Sequence, residues 1–244
     1  MAKRGKISNQ IPLREVDERP VKWRKYAYLF LIVCEDEKTE KRYFEKFKDE
    51  FEKIYPKETV FLCPVGTGRN SKGVVEQAII KKKELFEESN KTVDEIWAVF
   101  DKDDLDQSEG NRKRFVEAFE IAEKEKIQVA YSNEVFELWL LLHFTDVSSK
   151  NPIPRVDIYA KLEENIKKNP TYNTFVYEHG NSNVVDITLK LGNEIQAIKR
   201  ADRLNSEHNT RNNQPIDANP NTKVNVLIKR LRELINWYSY QSDS

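Results

Sequence analysis

Two short acidic runs carry the residues best suited to chemistry. Positions 34–37 read Cys-Glu-Asp-Glu, and positions 101–104 read Asp-Lys-Asp-Asp. Each follows a short apolar stretch, YAYLFLIVC at 26–34 and EIWAVF at 95–100. Continuous apolar runs of this length, rich in aromatic and branched residues, mark strands buried on both faces. If the two strands are neighbours, Glu35, Asp101 and Asp103 converge. Carboxylates that close repel one another. A divalent cation offsets the repulsion, and Mg²⁺ or Mn²⁺ with oxygen ligands suits a phosphodiester substrate. The plainer reading is helix capping, because acids near a helix N-terminus stabilise it. One run alone reads as capping, and two at adjoining strand ends read as a site. Asp36, Glu37 and Asp104 are then the caps or supporting residues.

Weaker candidates surround this trio. Lys38 and Thr39 begin the next helix, where free backbone N–H groups favour a phosphate; Lys38 reads equally as a solvated lysine. Glu40 could face the metal site from the first helical turn, or stand as an exposed helix residue. Residues 66–70, Gly-Thr-Gly-Arg-Asn, resemble a phosphate loop but lack its Gly-Lys-Ser/Thr. Arg69 and Asn70 are candidate substrate contacts, against a plain strand-to-helix turn. Glu137 lies in the apolar stretch NEVFELWLLLHF, and a buried carboxylate needs a partner. His143 in the same stretch reads as a core histidine, and it is too far round the helix to share an ion with Glu137. His179 and His208 fall in polar, loop-like segments without ligand spacing. Cys34, beside acids, is no nucleophile.

These residues need a scaffold, and the periodicity supplies one. Strands are predicted over 26–34, 60–65, 95–100 and 127–131, with amphipathic helices over 37–54, 74–86 and 114–126. Such alternation gives a parallel sheet covered by helices, with ligands at the carboxyl ends of the strands. The segment 133–144 reads as a buried helix. Beyond about 150 no strand is evident; helices are expected over 156–168, 184–204 and 222–238, and a loop over 206–222. The division expected is a basic arm at 1–25, an α/β domain at 26–146 and a helical extension at 147–244.

The chain has 244 residues, with 41 Lys plus Arg against 41 Asp plus Glu. Zero net charge removes a whole-protein basic character, so nucleic-acid binding would need a local patch. The candidate patch is the arm with Lys38, Arg69, Lys72, Lys229, Arg230 and Arg232. Two cysteines exclude a disulfide scaffold and a Cys-rich zinc site. The first ten residues lack a signal's apolar stretch, and the longest uncharged apolar run falls far short of about 20 residues. A cytoplasmic protein without membrane contact is expected. Trp97 and Trp139 read as core; Trp23 and Trp237 read as core or interface.

A strand ending in Glu followed by a parallel strand ending in Asp-x-Asp resembles the Toprim domain. More narrowly, the chain resembles the RloB-like family of bacterial defence proteins. The matching stretches are LIVCEDEKTEKRYFEKF at 31–47, VGTGRN at 65–70, EIWAVFDKDD at 95–104, YSNEVFELWLLLHF at 131–144 and NPNTKVNVLIKRL at 219–231. The resemblance implies a Toprim-like α/β sheet with flanking helices and a C-terminal helical extension. It makes Glu35 the Toprim glutamate and Asp101 and Asp103 the metal pair, and adds Glu137 to the site. It implies a Mg²⁺- or Mn²⁺-dependent nuclease acting on DNA or RNA, including tRNA. The expected partner is an ATPase of the RloA type, in abortive infection against phage; a homodimer is compatible. The family usually has Gly after the glutamate, where this chain has Asp36; Asp also tolerates unusual dihedrals.

Other classes fit less well. A HAD phosphatase shares Asp-x-Asp after a strand, but Leu105 replaces its usual residue. A receiver domain needs a fifth strand ending in Lys. A non-catalytic binding or regulatory subunit on the same fold is the alternative to an enzyme.

Overall fold

The structure is a computed structural model, described over residues 28–54, 60–103 and 109–242. The basic arm, Trp23 and Asp104 lie outside the described residues. The elements run β1 (Tyr28–Cys34), α1 (Thr39–Ile54), β2 (Val60–Gly66), α2 (Ser71–Ser89), β3 (Glu95–Asp101), α3 (Glu109–Glu125), β4 (Gln128–Asn133), α4 (Glu137–Leu142), α5 (Arg155–Lys167), α6 (Asn183–Leu191), α7 (Glu194–Thr210), β5 (Asn221–Thr222) and α8 (Val224–Ser242). The sheet order is β2-β1-β3-β4-β5. The first four strands are parallel and β5 is antiparallel to β4. This is the expected α/β class, a Rossmann-like sheet with helices on both faces.

The central strand β1 shows why its run is apolar throughout. Leu29, Leu31 and Val33 enter one buried cluster, with α2 and α3. Phe30, Ile32 and Cys34 enter the other, with α1, α4, α5, α7 and α8. Alternate side chains of a strand point to opposite faces, so two cores demand apolar residues at every position. Each large side chain so buried contributes roughly 1.5–3 kcal/mol. On α1, Tyr43, Phe44, Phe47 and Phe51 are buried at the helical spacing. Helix α4 is buried at all six positions, which accounts for the unbroken apolar stretch there. Trp97 and Trp139 are core, while Trp237 on α8 is exposed.

Three expectations need correction. The region beyond 150 does contain a strand: Asn221 and Thr222 pair with Asn133 and Ser132, and the Ser132 and Thr222 hydroxyls lie 3.1 Å apart. Two residues show no period, so no pattern could reveal it. The single helix expected over 184–204 is two helices. Gly192 leaves α6 in an extended conformation, and Asn193 caps α7 by accepting from Gln196 N at 3.0 Å. The loop expected from 206 starts later, because α7 runs to Thr210 and places His208 on a buried helical face.

The C-terminal cations also have structural partners. Arg230 Nε lies 2.9 Å from Glu95 Oε2, at the start of β3. Six residues of strand, about 20 Å, separate Glu95 from Asp101. Arg232 pairs with Glu194 at 2.7 Å and Glu50 at 2.6 Å. Lys229 pairs with Asp202, and Lys72 with Glu117. Arg230 ties α8 to β3, and the other three tie helices together.

Candidate functional site

Strands β1 and β3 are hydrogen-bonded neighbours, with Cys34 opposite Val99. Glu35 N donates to Val99 O at 2.9 Å, which carries the register one residue past β1. Glu35 and Asp101 are therefore brought together from 66 positions apart. Asp101 N donates to Glu35 Oε2 at 3.1 Å. Asp101 Oδ2 accepts from Phe136 N at 2.9 Å, which fixes the start of α4 against the end of β3. Asp103 follows with a positive φ of 53°, a conformation that Asp tolerates better than most residues. Its carboxylate lies 3.4 Å from the Arg155 guanidinium.

The loop after β2 closes over the end of β1. Gly68, at φ 60°, donates its N–H to Glu35 O at 2.8 Å. The Thr67 hydroxyl donates to Cys34 O at 2.9 Å. Gly66 comes so near the acidic turn that a Cβ there would lie 2.5 Å from Glu37 Cα. Backbone cannot swing aside as a side chain can. Gly66→Ala is expected to cost roughly 2–4 kcal/mol, seen as a lower urea midpoint; an unchanged midpoint would show that the turn yields.

The resulting cleft has a volume of about 340 Å³. Glu35, Glu40, Asp101, Asp103 and Glu137 line it, with Arg69, Asn70, Arg155 and His179. All four residues expected to be catalytic therefore share one cleft. Burial, then the charge of Asp103, pushes the Glu35 carboxyl up to about 8, despite its bond from Asp101 N. Burial raises Asp101 well above the carboxylate range, reinforced by Glu40, Asp103, Glu35 and Glu137. Burial and Glu35 do the same to Glu40. Glu137 is raised by burial, while a bond from Tyr177 Oη at 2.6 Å opposes that rise.

Glu40, left open in the sequence between the site and an exposed helix surface, faces the cleft. It is 1% exposed, and its carboxylate accepts from Asp36 N at 3.0 Å. Its place was legible, since 40, 44, 47 and 51 share the helical face that carries Phe44, Phe47 and Phe51. Arg155, Tyr177 and His179 sit after irregular segments and gave no such signal.

Other expectations divide. Asp36 is a helix cap: its carboxylate accepts from Lys38 N at 2.9 Å and Thr39 N at 2.6 Å. Those N–H groups are thereby taken, so the start of α1 offers no open phosphate nest. Asp36 is not among the positive-φ residues, so the turn does not require glycine there. The Lys38 side chain is exposed and lies against Gly180. Arg69 is exposed. Asn70 caps α2, accepting from Gly73 N at 3.0 Å, so its Oδ1 serves the helix. His143 is a core residue whose Nδ1 pairs with Trp139 O at 2.9 Å; burial lowers its pKa to about 4. It does not line the cleft. Cys34 is buried, with its thiol pKa raised well above the usual value.

Among the described residues, no three His, Cys, Asp or Glu side chains already form a group able to hold a metal ion. The acids hold apart because each takes its own donor: Glu35 from Asp101 N, Glu40 from Asp36 N, Asp101 from Phe136 N, and Asp103 from Arg155. The donor chemistry nevertheless suits a hard divalent cation. Asp101 Oδ1 is buried without a hydrogen-bond partner, an arrangement that costs free energy unless something meets it.

The receiver alternative fails on topology. It needs a parallel fifth strand that brings a lysine to the acids. β5 is antiparallel, and Lys223 N bonds to Tyr131 O, which leads away from the carboxyl ends. Among the described residues, no helix is long and apolar enough to cross a membrane.

Comparison with curated proteins and with solved structures yields no match. The family model described as RloB-like protein matches residues 30–231. That span takes in every element from β1 to the middle of α8 and every acid of the cleft, and the chain belongs to the RloB-like family.

Proposed function

We propose that the chain is a metal-dependent phosphodiesterase of Toprim type acting on nucleic acid. The observation that carries this reading is the unpartnered, buried Asp101 Oδ1 among the carboxylates of Glu35, Glu40 and Glu137 at the strand ends. Perturbed acids in a cleft mark functional sites more often than structural ones. Glu35, Asp101 and Asp103 would hold Mg²⁺ or Mn²⁺. When bound, the cation supplies Lewis-acid charge at the phosphodiester.

The chain's own residues do the rest. Arg155 and Arg69 face the cleft and can hold phosphate oxygens. Glu137, with its raised pKa, can carry a proton where an ordinary glutamate has lost it. Tyr177 holds that carboxyl in place by its 2.6 Å bond to Oε1. The family resemblance adds an ATPase partner of the RloA type and a role in abortive infection.

A second reading has its own support. Asp103 is paired with Arg155, and no three acids are gathered as ligands, as in a regulatory subunit that kept the fold. One assay separates the two. Labelled plasmid, single-stranded DNA and total RNA are incubated with Mg²⁺, Mn²⁺ or EDTA, with and without the ATPase. Metal-dependent cutting that is lost in Glu35→Gln supports the hydrolase. No cutting of any substrate under any of these conditions supports the regulatory subunit.

A further inference from the structure

We propose that the cleft seats an unpaired nucleobase on the exposed His179 ring, the end of an aromatic ledge backed by Tyr159 and Tyr177, so that the substrate is single-stranded nucleic acid or a strand opened at the cut position. The inference rests on the phosphodiesterase reading for why nucleic acid enters the cleft, and it names the substrate class.

The ledge is a row of three rings. Tyr159 on α5 and Tyr177 are stacked, with centroids 4.6 Å apart and planes 23° apart. The His179 ring lies 6.1 Å from Tyr159, tilted by 39°. Its Nδ1 is 3.5 Å from Tyr159 Oη. Both tyrosines are half-buried, and His179, the end of the row, is exposed. The other end is anchored in the acids through the bond from Tyr177 Oη to Glu137. His179 itself lines the cleft beside Glu35, Asp101 and Asp103. His179 is therefore the part of the row that faces the proposed reaction site, and the stacked tyrosines stand behind it.

Cations stand along the same rim. The Lys38 ammonium lies 3.3 Å from where a Cβ on Gly180 would be, one residue beyond His179. Arg69 and Arg155 line the cleft. Aromatic faces alternating with cations recognise single strands, because every base offers a π-face and every phosphate a charge. In a duplex those faces are covered by neighbouring bases. A cleft of about 340 Å³ is of small-ligand size and suits a nucleotide taken out of its stack.

A purely structural account would have the tyrosines do no more than clamp Glu137. That account gives the exposed His179 ring no role, so His179 decides between them. The test measures binding of a fluorescent oligonucleotide as single-stranded DNA, single-stranded RNA and duplex. It is done in EDTA on the full chain carrying Asp101→Asn, with and without His179→Ala or Tyr159→Leu. Circular dichroism of each variant checks that it is folded. The expected result is single strands bound at least tenfold more tightly than duplex, and a loss of about fivefold or more for single strands in His179→Ala. A 2-aminopurine base should be quenched on binding, and less so in that variant. Equal affinity for duplex, or unchanged single-strand binding in folded His179→Ala, overturns the ledge even if the wild type cuts. Ledge-dependent binding without any metal-dependent cutting would instead overturn the hydrolase reading and leave the base site standing.

Discussion

Asp101→Asn is expected to make the chelator-treated protein more stable at pH 8 while removing hydrolysis. The Asp101 carboxyl is buried, and four other acids raise its pKa. Asparagine has nearly the same shape, and its Oδ1 can still accept from Phe136 N as Asp101 Oδ2 does. The repulsion disappears and the bond remains, a gain of roughly 1–3 kcal/mol. On the proposed reading Asp101 holds the metal, and its loss should lower cleavage by about a thousandfold or more. Asp101→Ala should be equally inactive but less stable than Asp101→Asn, since it leaves the Phe136 N–H without its acceptor. Urea denaturation in EDTA at pH 8, beside the plasmid assay, measures both effects. A less stable and fully active Asp101→Asn protein would contradict the argument on both counts.

The second large effect is on pH dependence. The Glu35 carboxyl sits at about 8 in the folded protein, against an ordinary value of 4.5. Between those two values the folded state keeps a proton that the unfolded chain has released. Stability is therefore full below about pH 4.5, falls as pH rises, and levels off above about pH 8. The slope for one group is about 1.4 kcal/mol per pH unit, or at most about 5 kcal/mol over the window. Asp101, Glu40 and Glu137 are raised too and act in the same sense. Asp186, Glu117 and Glu163 are lowered; they are more exposed, and their stabilisation is lost only at acid pH, below this window. His143, lowered to about 4, and His208, also lowered, act in the opposite sense below about pH 6.5, so in EDTA the fall in urea midpoint should be clearest from pH 6.5 to 8. Glu35→Gln should flatten that fall. Mg²⁺ should restore stability chiefly at pH 8, because a cation competes with protons for the same oxygens. A midpoint that rose from pH 6.5 to 8 in EDTA would rule out the raised carboxyls.

The sequence carried much of this site, and the reasons are local. The apolar run of β1 reads as a strand because two cores press on it, and the acids that follow fall where the chain leaves the sheet. The trio of Glu35, Asp101 and Asp103 was legible on that ground, as was the cap at Asp36. Its detailed arrangement was not. That Asp103 turns to Arg155 depends on a contact 52 positions away, and α5 has no pattern that points its first residue anywhere. Tyr177 lies outside regular elements, where periodicity carries no information. Glu40 is a different kind of case, left open in the sequence: the helix period placed it on the buried face, but its charge argued for solvent. The burial of a carboxylate against its own preference is itself the functional signal.

The two borders of the sheet bear on assembly. At one side β2 carries Pro64 within its seven residues, and proline has no N–H to give to an incoming strand. At the other, β5 is two residues long and passes at once into α8. A row of open donors and acceptors is what lets sheets of separate molecules fuse into one continuous ribbon. Among the described residues, Pro64 interrupts that row at one border, and at the other β5 adds only two residues to it. A companion molecule that avoided these interrupted borders would meet helical faces and side chains, and those helices, not a shared ribbon of strands, would then set the orientation of the acidic cleft.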